Sequence, residues 1–215
     1  MRALLVVGPS IPCFLREQGL DLIHRPVIRL ESLVLSDAQQ KVLQTVSNHD
    51  ALIMTSQYAV KCLYECLKNI RDLPVFCVGE HTAESVRKLF PSVDVMISNH
   101  PTQEGLVEAM LQSSYQSFFW PRSEAARSYL SQEIRMAGRH LTELELYRPV
   151  PCNVLSDFSF EGVAGVFFTC PSSVDAFFSF VVSPPDVHYY AIGPVTAARL
   201  KKYRVVPELF LRYAK

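Results

Sequence analysis

Two stretches of this chain follow one pattern 114 residues apart, which commits it to a duplicated architecture. Leu-Ile-Met-Thr-Ser-Gln-Tyr-Ala-Val begins at Leu52, and Val-Phe-Phe-Thr-Cys-Pro-Ser-Ser-Val begins at Val166. Val78-Gly79-Glu80-His81-Thr82-Ala83 is answered by Ile192-Gly193-Pro194-Val195-Thr196-Ala197 at the same offset. A second pair is looser. Val6-Val7-Gly8-Pro9-Ser10, Gly19 and Arg25-Pro26-Val27 correspond to Phe119-Trp120-Pro121-Arg122-Ser123, Gly138 and Arg148-Pro149-Val150, at offsets drifting from 113 to 123. Drift of that size belongs in loops. The order is unit a, unit b, a second a, a second b. Two copies are too few for a solenoid, so two similar domains are expected. A cleft between domains is a usual place for a ligand.

Hydrophobic residues make up 49% and charged residues 20% of the 215, enough apolar material for packed cores. The formal net charge is zero, which argues against a general nucleic-acid binder. It leaves room for an anionic small molecule, because backbone N–H groups bind anions without formal charge. The run Ala3 to Val7 is too short for a signal-peptide core, and Ala176 to Val182 is far short of a membrane span. The six cysteines show no CxxC spacing and read as reduced cytosolic thiols, several of them buried.

Apolar runs and turn signals alternate along the chain. Strands are expected over 2–7, 20–27, 51–55, 74–78, 93–97, 118–120 and 141–146. Helices are expected over 11–18, from a Ser36-Asp37 cap to about 47, and over 58–69, 81–90, 103–112 and 124–137. Ser56, Thr102 and Ser123 are placed to cap three of them, and Gly105 marks a weak point in its helix. The second b unit repeats strand, helix, strand, helix through Tyr203. This predicts an α/β protein of two similar doubly wound domains with parallel sheets. Ligands of such sheets lie beyond the C-terminal strand ends. Arg25-Pro26-Val27-Ile28 and Tyr147-Arg148-Pro149-Val150-Pro151 read as matching extended crossings, since proline holds the preceding residue out of helix. Periodicity leaves open whether the units pair in sequence or nest.

Signatures for dinucleotides, P-loops, hydrolase elbows and zinc proteases are absent, and no His/Cys cluster has metal spacing. What remains is hydroxyls at helix starts. Thr55, Ser56, Thr82, Thr102, Ser123, Ser172 and Thr196 all follow predicted strands, and capping alone explains such residues individually. The constant offset sets Thr55, Thr82 and Thr196 apart. Helix N-termini with hydroxyls suit a polyanionic ligand. Tyr147, at the start of a crossing, has a proton to offer at neutral pH, as a general acid or hydrogen-bond donor. Packing at a domain junction is its structural alternative. Arg122 and Arg148 are candidate anion contacts.

Thr55-Ser56-x-x-Ala59-Val60, Val78-Gly79-x-x-Thr82-Ala83, Pro101-Thr102-x-x-Gly105-Leu106, Leu146-Tyr147-Arg148-Pro149-Val150, Phe168-Thr169-x-Pro171-Ser172 and Ala191-Ile192-Gly193-Pro194-x-Thr196-Ala197 together resemble the uroporphyrinogen-III synthase family, in order and in spacing, to about Arg204. The resemblance implies a nested, flavodoxin-like pseudo-repeat. Residues 1–28 plus 152–215 would form one domain and 33–146 the other, with 29–32 and 147–151 as extended connectors. It implies a monomeric, cytoplasmic lyase of haem biosynthesis that uses no cofactor or metal. Its substrate would be hydroxymethylbilane, a polyanionic linear tetrapyrrole, closed with inversion of the last ring and loss of water. It does not imply nucleic-acid or membrane partners. Tyr147 would be the catalytic residue. Thr55, Ser56, Thr82, Thr102, Arg122, Ser123, Thr169, Ser172 and Thr196 would bind substrate. The alternative is a non-catalytic two-domain binder or regulator of an anionic small molecule. Two departures stand out. Cys170 replaces the serine of the other copy, and family chains usually carry a further Pro-Thr segment and helix after the second Thr-Ala.

Overall fold

A computed structural model describes residues 3–68, 70 and 73–210. Arg2, the first residue of the strand expected over 2–7, and Asn69, the last of the helix expected over 58–69, lie outside them. The chain divides into two compact units, one of Met1–Leu30 with Pro149–Lys215, the other of Glu31–Arg148.

In the first unit, β1 (Ala3–Val6), β2 (Leu22–His24), β9 (Val163–Phe168), β10 (His188–Ala191) and β11 (Pro207–Leu209) form a parallel sheet in the order β11-β10-β9-β1-β2. Alternation along β1 and β9 sorts the core. Leu5, Val7, Val166 and Phe168 join the cluster containing Val174, Phe177 and Leu200, from α7 (Pro171–Phe180) and α8 (Pro194–Lys201). Leu4, Val6 and Phe167 take the other face with Leu15 of α1 (Cys13–Arg16). Strands covered on both faces need apolar residues at every position, and these have them.

The second sheet comprises β3 (Ile28–Ser32), β4 (Ala51–Met54), β5 (Val75–Cys77), β6 (Val95–Ile97), β7 (Ser117–Ser123) and β8 (His140–Pro151). Their order is β3-β8-β7-β4-β5-β6. The register from β8 through β6 is parallel. β3 runs against β8: Cys152 N–H donates to Val27 O at 2.7 Å, and Leu33 N–H to Leu146 O at 2.8 Å. α2 (Asp37–Gln44) starts on a capping box between Ser36 and Gln39. α3 (Gln57–Cys66) packs on α4 (Glu80–Leu89), and α5 (Gln103–Gln112) on α6 (Tyr129–Met136). Leu106, Val107 and Met110 of α5 close over Phe76, Phe118 and Trp120.

The repeat survives in detail. α3 spans 57–66 and α7 spans 171–180, while α4 and α8 begin at 80 and 194. The spatial orders β8-β7-β4-β5-β6 and β2-β1-β9-β10-β11 are equivalent, although one unit is written b-then-a and the other a-then-b.

Three expectations are corrected. The helix expected over 11–18 is only Cys13–Arg16, begun by Pro12 without a side-chain cap. The strand expected over 20–27 is reduced to Leu22–His24. Ser123 does not cap a helix over 124–137. β7 keeps pairing with β8 through Ser123, Glu124 N–H donates to Tyr147 O at 2.9 Å, and α6 begins only at Tyr129. Sheet pairing there claims the residues that capping chemistry alone would give to a helix start.

Candidate active site

The hydroxyls gather at the C-terminal ends of the strands. β4 ends at Met54, and Ser56 caps α3, its Oγ accepting from Ala59 N–H at 3.0 Å. The same Oγ lies 2.7 Å from the Tyr147 phenol oxygen. Tyr147 reaches it by a fault in the sheet. Arg122 pairs with Glu145 but Ser123 pairs with Tyr147, so β8 holds one extra residue there. A bulge of this kind re-aims a side chain. Leu146 and Tyr147 are consequently both buried, breaking the alternation of the strand. The Tyr58 ring meets Tyr147 edge-on at 5.0 Å, and Tyr58 OH lies 3.4 Å from Ser32 Oγ.

Thr55 is held separately. Trp120 Nε1 donates to its Oγ1 at 3.2 Å, as a buried indole N–H requires. Arg122 lies over that indole, 5.3 Å from its centroid, and its guanidinium is bound by Glu143 at 2.5 Å and Glu145 at 3.4 Å. Arg122 is therefore engaged by carboxylates of its own sheet. Arg148 is 3.8 Å from Glu31. Ser123 Oγ accepts from Ala125 N–H in a turn. Thr102 caps α5, accepting from Gly105 N–H at 3.1 Å. Beside it, Arg127 holds the Glu104 carboxyl down at about 2, chiefly through its hydrogen bond.

Thr82 and Thr196 occupy matching places in the first turns of α4 and α8, each behind a glycine that starts the helix. Both are buried, at 5% and 3% exposure, so their side chains pack inward. Thr169 is the counterpart of Thr55. Its Oγ1 is buried without a hydrogen-bond partner. The cause is readable in the repeat: Val7 stands where the other unit has Trp120, and no indole N–H is supplied. Cys170 precedes α7 without a side-chain cap, and Ser172 lies half-buried in the first turn. His24, the counterpart of Tyr147, bonds Gly8 O at 2.9 Å through Nε2.

The second unit thus joins Ser56 and Tyr147 in one contact, while Thr55 is held by Trp120 and Thr82, Thr102 and Ser123 sit in their own places. Sequence reasoning did not single out Trp120, Tyr58 or Ser32. The sole tryptophan, at a strand end, was the available signal for the first. Nothing in the sequence announces the bulge. Chemically, the set can donate a proton from a phenol and support the oxygen left behind. All six cysteines are free, and burial pushes the Cys77 thiol up to about 12, out of range for nucleophilic work. Among the described residues no helix is long and apolar enough to cross a membrane.

Fold and site together define a duplicated two-unit α/β protein with a phenol–hydroxyl pair at the strand ends of one unit. The model of the uroporphyrinogen-III synthase HemD family matches residues 12–209, and the chain belongs to that family. A mutant uroporphyrinogen III synthase of the extremely thermophilic bacterium Thermus thermophilus has a similar structure, with TM-score 0.66 and 16% identity over 100% of this chain and 94% of that one. The uroporphyrinogen-III synthetase of Helicobacter pylori 26695 gives TM-score 0.65 and 17% identity over 97% and 92%. Identities this low speak for the fold alone. A comparison with curated protein sequences finds no match.

Proposed function

We propose that this protein is a uroporphyrinogen-III synthase. It closes hydroxymethylbilane into uroporphyrinogen III, inverting the last pyrrole ring and releasing water, in haem biosynthesis. The observation that carries this reading is the family match over residues 12–209, nearly the whole chain. In class it is a lyase working without cofactor, as a monomer in the cytoplasm. Residues 1–28 with 152–215 and residues 33–146 are its two domains.

The chemistry asks for orientation and one proton. A pyrrole nitrogen lone pair helps expel the substrate hydroxyl as water, leaving an azafulvene cation. Attack at a substituted pyrrole carbon gives a spiro intermediate, which fragments and recloses with the ring turned over. The free substrate closes unaided without inversion, so the protein must hold one folded conformation. Tyr147 is the general acid for the leaving hydroxyl. Main-chain N–H groups at the starts of α3, α4, α5, α7 and α8 meet substrate carboxylates. Thr55, Thr102, Ser123, Thr169, Ser172 and the turns built on Thr82 and Thr196 shape those contacts. The ion pairs of Arg122 with Glu143 and Glu145 support a different role for Arg122, bracing the indole of Trp120.

The test gives purified protein hydroxymethylbilane and measures the ratio of inverted to uninverted macrocycle. A ratio well above the protein-free control is expected. A ratio equal to it would leave a non-catalytic binder. Tyr147→Phe should lower turnover by about tenfold or more with the fold intact.

A further inference from the structure

Trp120 is wholly buried in a cluster with Phe76, Phe118 and Leu130, yet its Nε1 reaches Thr55 Oγ1 at 3.2 Å. The direction of this bond is fixed by chemistry, since an indole nitrogen can only donate. Thr55 therefore accepts, and its own hydrogen is left to give. Among the described residues no acceptor takes that hydrogen. Thr55 is half-buried and follows β4 directly, at the strand end beyond which ligands of such sheets lie.

The first unit shows the same position without the indole. Val7 stands for Trp120 and Gly8 for Pro121. There the Thr169 oxygen is buried against Gly8, where an added β-carbon would lie 1.9 Å from it. The core of that unit closes over the smaller Val7. One chain thus contains both arrangements, a threonine held by an indole with its hydrogen to offer and a threonine folded inward. The indole is not a requirement of the fold.

We propose that Trp120 is a positioning residue for substrate, acting through Thr55: the indole fixes the threonine so that its hydroxyl donates to a substrate carboxylate. This rests on the synthase reading, which supplies the polycarboxylate. A threonine side chain has few rotamers, and a hydrogen bond to Oγ1 selects among them. Arg122, 5.3 Å from the ring centroid and tied to Glu143 and Glu145, holds the indole plane. A hydroxyl that already accepts a hydrogen bond is polarised and donates more strongly. A donor fixed in the free protein needs less ordering when the ligand arrives. A carboxylate remote from the breaking C–O bond is held alike in the ground and transition states, so the effect belongs in KM and not in kcat.

Trp120→Phe keeps an aromatic ring beneath Arg122 and removes the N–H. Expected is KM raised by about threefold to tenfold, with kcat within about twofold of wild type. Thr55→Val keeps the shape and removes the hydroxyl, and should raise KM by about tenfold or more. Thr55→Ser, which keeps the hydroxyl, should raise it by less than about threefold. In a Thr55→Val background Trp120→Phe should raise KM no further, since the indole acts through the threonine. An unchanged KM in Thr55→Val overturns the proposal. An equal rise from Trp120→Phe with and without the Thr55 hydroxyl also overturns it, because the indole would then act by packing. A fall in kcat at constant KM does the same. Should Trp120→Phe fail to fold, the bond can be followed in place. Trp120 is the sole tryptophan, so its indole N–H gives a single resonance. Added uroporphyrinogen III should move that resonance downfield in wild type and leave it in place in Thr55→Val, as a strengthened bond requires. A resonance unmoved in wild type overturns the proposal. Wild type assayed alongside separates the two readings: if wild type itself gives no inverted product, it is the synthase assignment that falls.

Discussion

Single residues here show where the halves of the duplication stopped being copies. Thr55 received an indole partner and Thr169 did not, which leaves a buried hydroxyl unsatisfied. An unmet buried polar group weakens the folded state, so Thr169→Ala should be neutral or slightly stabilising in chemical denaturation. Thr169 also leans on Gly8. A β-carbon there would lie 1.9 Å from Thr169 Oγ1 and 2.8 Å from its Cβ. A β-branched side chain has few rotamers to retreat into. Gly8→Ala should therefore destabilise by about 1–3 kcal/mol. Adding Thr169→Ala should restore at least half of that loss, a non-additivity measurable in a double-mutant cycle. Tyr147 was legible from the sequence as a candidate. Its partner contact was not, because a bulge depends on the register of two strands and not on local composition.

Among the elements, long amphipathic helices were the most readable. α5 begins and ends where the pattern puts it, with Thr102 as its cap. Gly105 was misread within it. Read alone, a glycine in a helix is a weakness that alanine would improve by about 1 kcal/mol. In the fold its α-carbon faces the His100 carbonyl, and an added β-carbon would come within 2.5 Å of that oxygen. Backbone cannot step aside as a side chain can. Gly105→Ala is expected to lower the melting temperature despite its better helix propensity, and thermal unfolding of the two proteins decides the sign. The failed helix start at Ser123 has the same origin: partners distant in sequence outweighed a local preference. The short elements α1 and β2 were overextended because an apolar pattern does not say where packing stops.

At the scale of the molecule, each unit has a core of its own. Residues 31–148 are continuous in sequence and contain every residue of the second core cluster. Expressed alone, that segment should fold with cooperative thermal unfolding, whereas residues 1–30 alone should not. Acid should weaken the whole. Gln116 and Ser117 N–H each donate to Asp50 at 2.8 Å, the first of these contributing most to lowering its pKa, and Arg127 brings Glu104 from 4.5 to about 2. A carboxyl whose folded pKa is depressed adds stability above its unfolded value and loses it as pH falls toward the folded one. Stability should accordingly drop between about pH 4.5 and 2, and Asp50→Asn should flatten part of that slope in denaturant titrations.

The permuted order of strands has a consequence for synthesis. β1 is an interior strand of its sheet, between β2 and β9, yet its neighbour β9 is made only after the whole of residues 31–148. As the chain leaves the ribosome, Leu4-Leu5-Val6-Val7 must wait, without its central partner, while the inserted unit completes itself. A stretch made before the inserted unit is thus among the last to find its place, and in the meantime it is bait for chaperones.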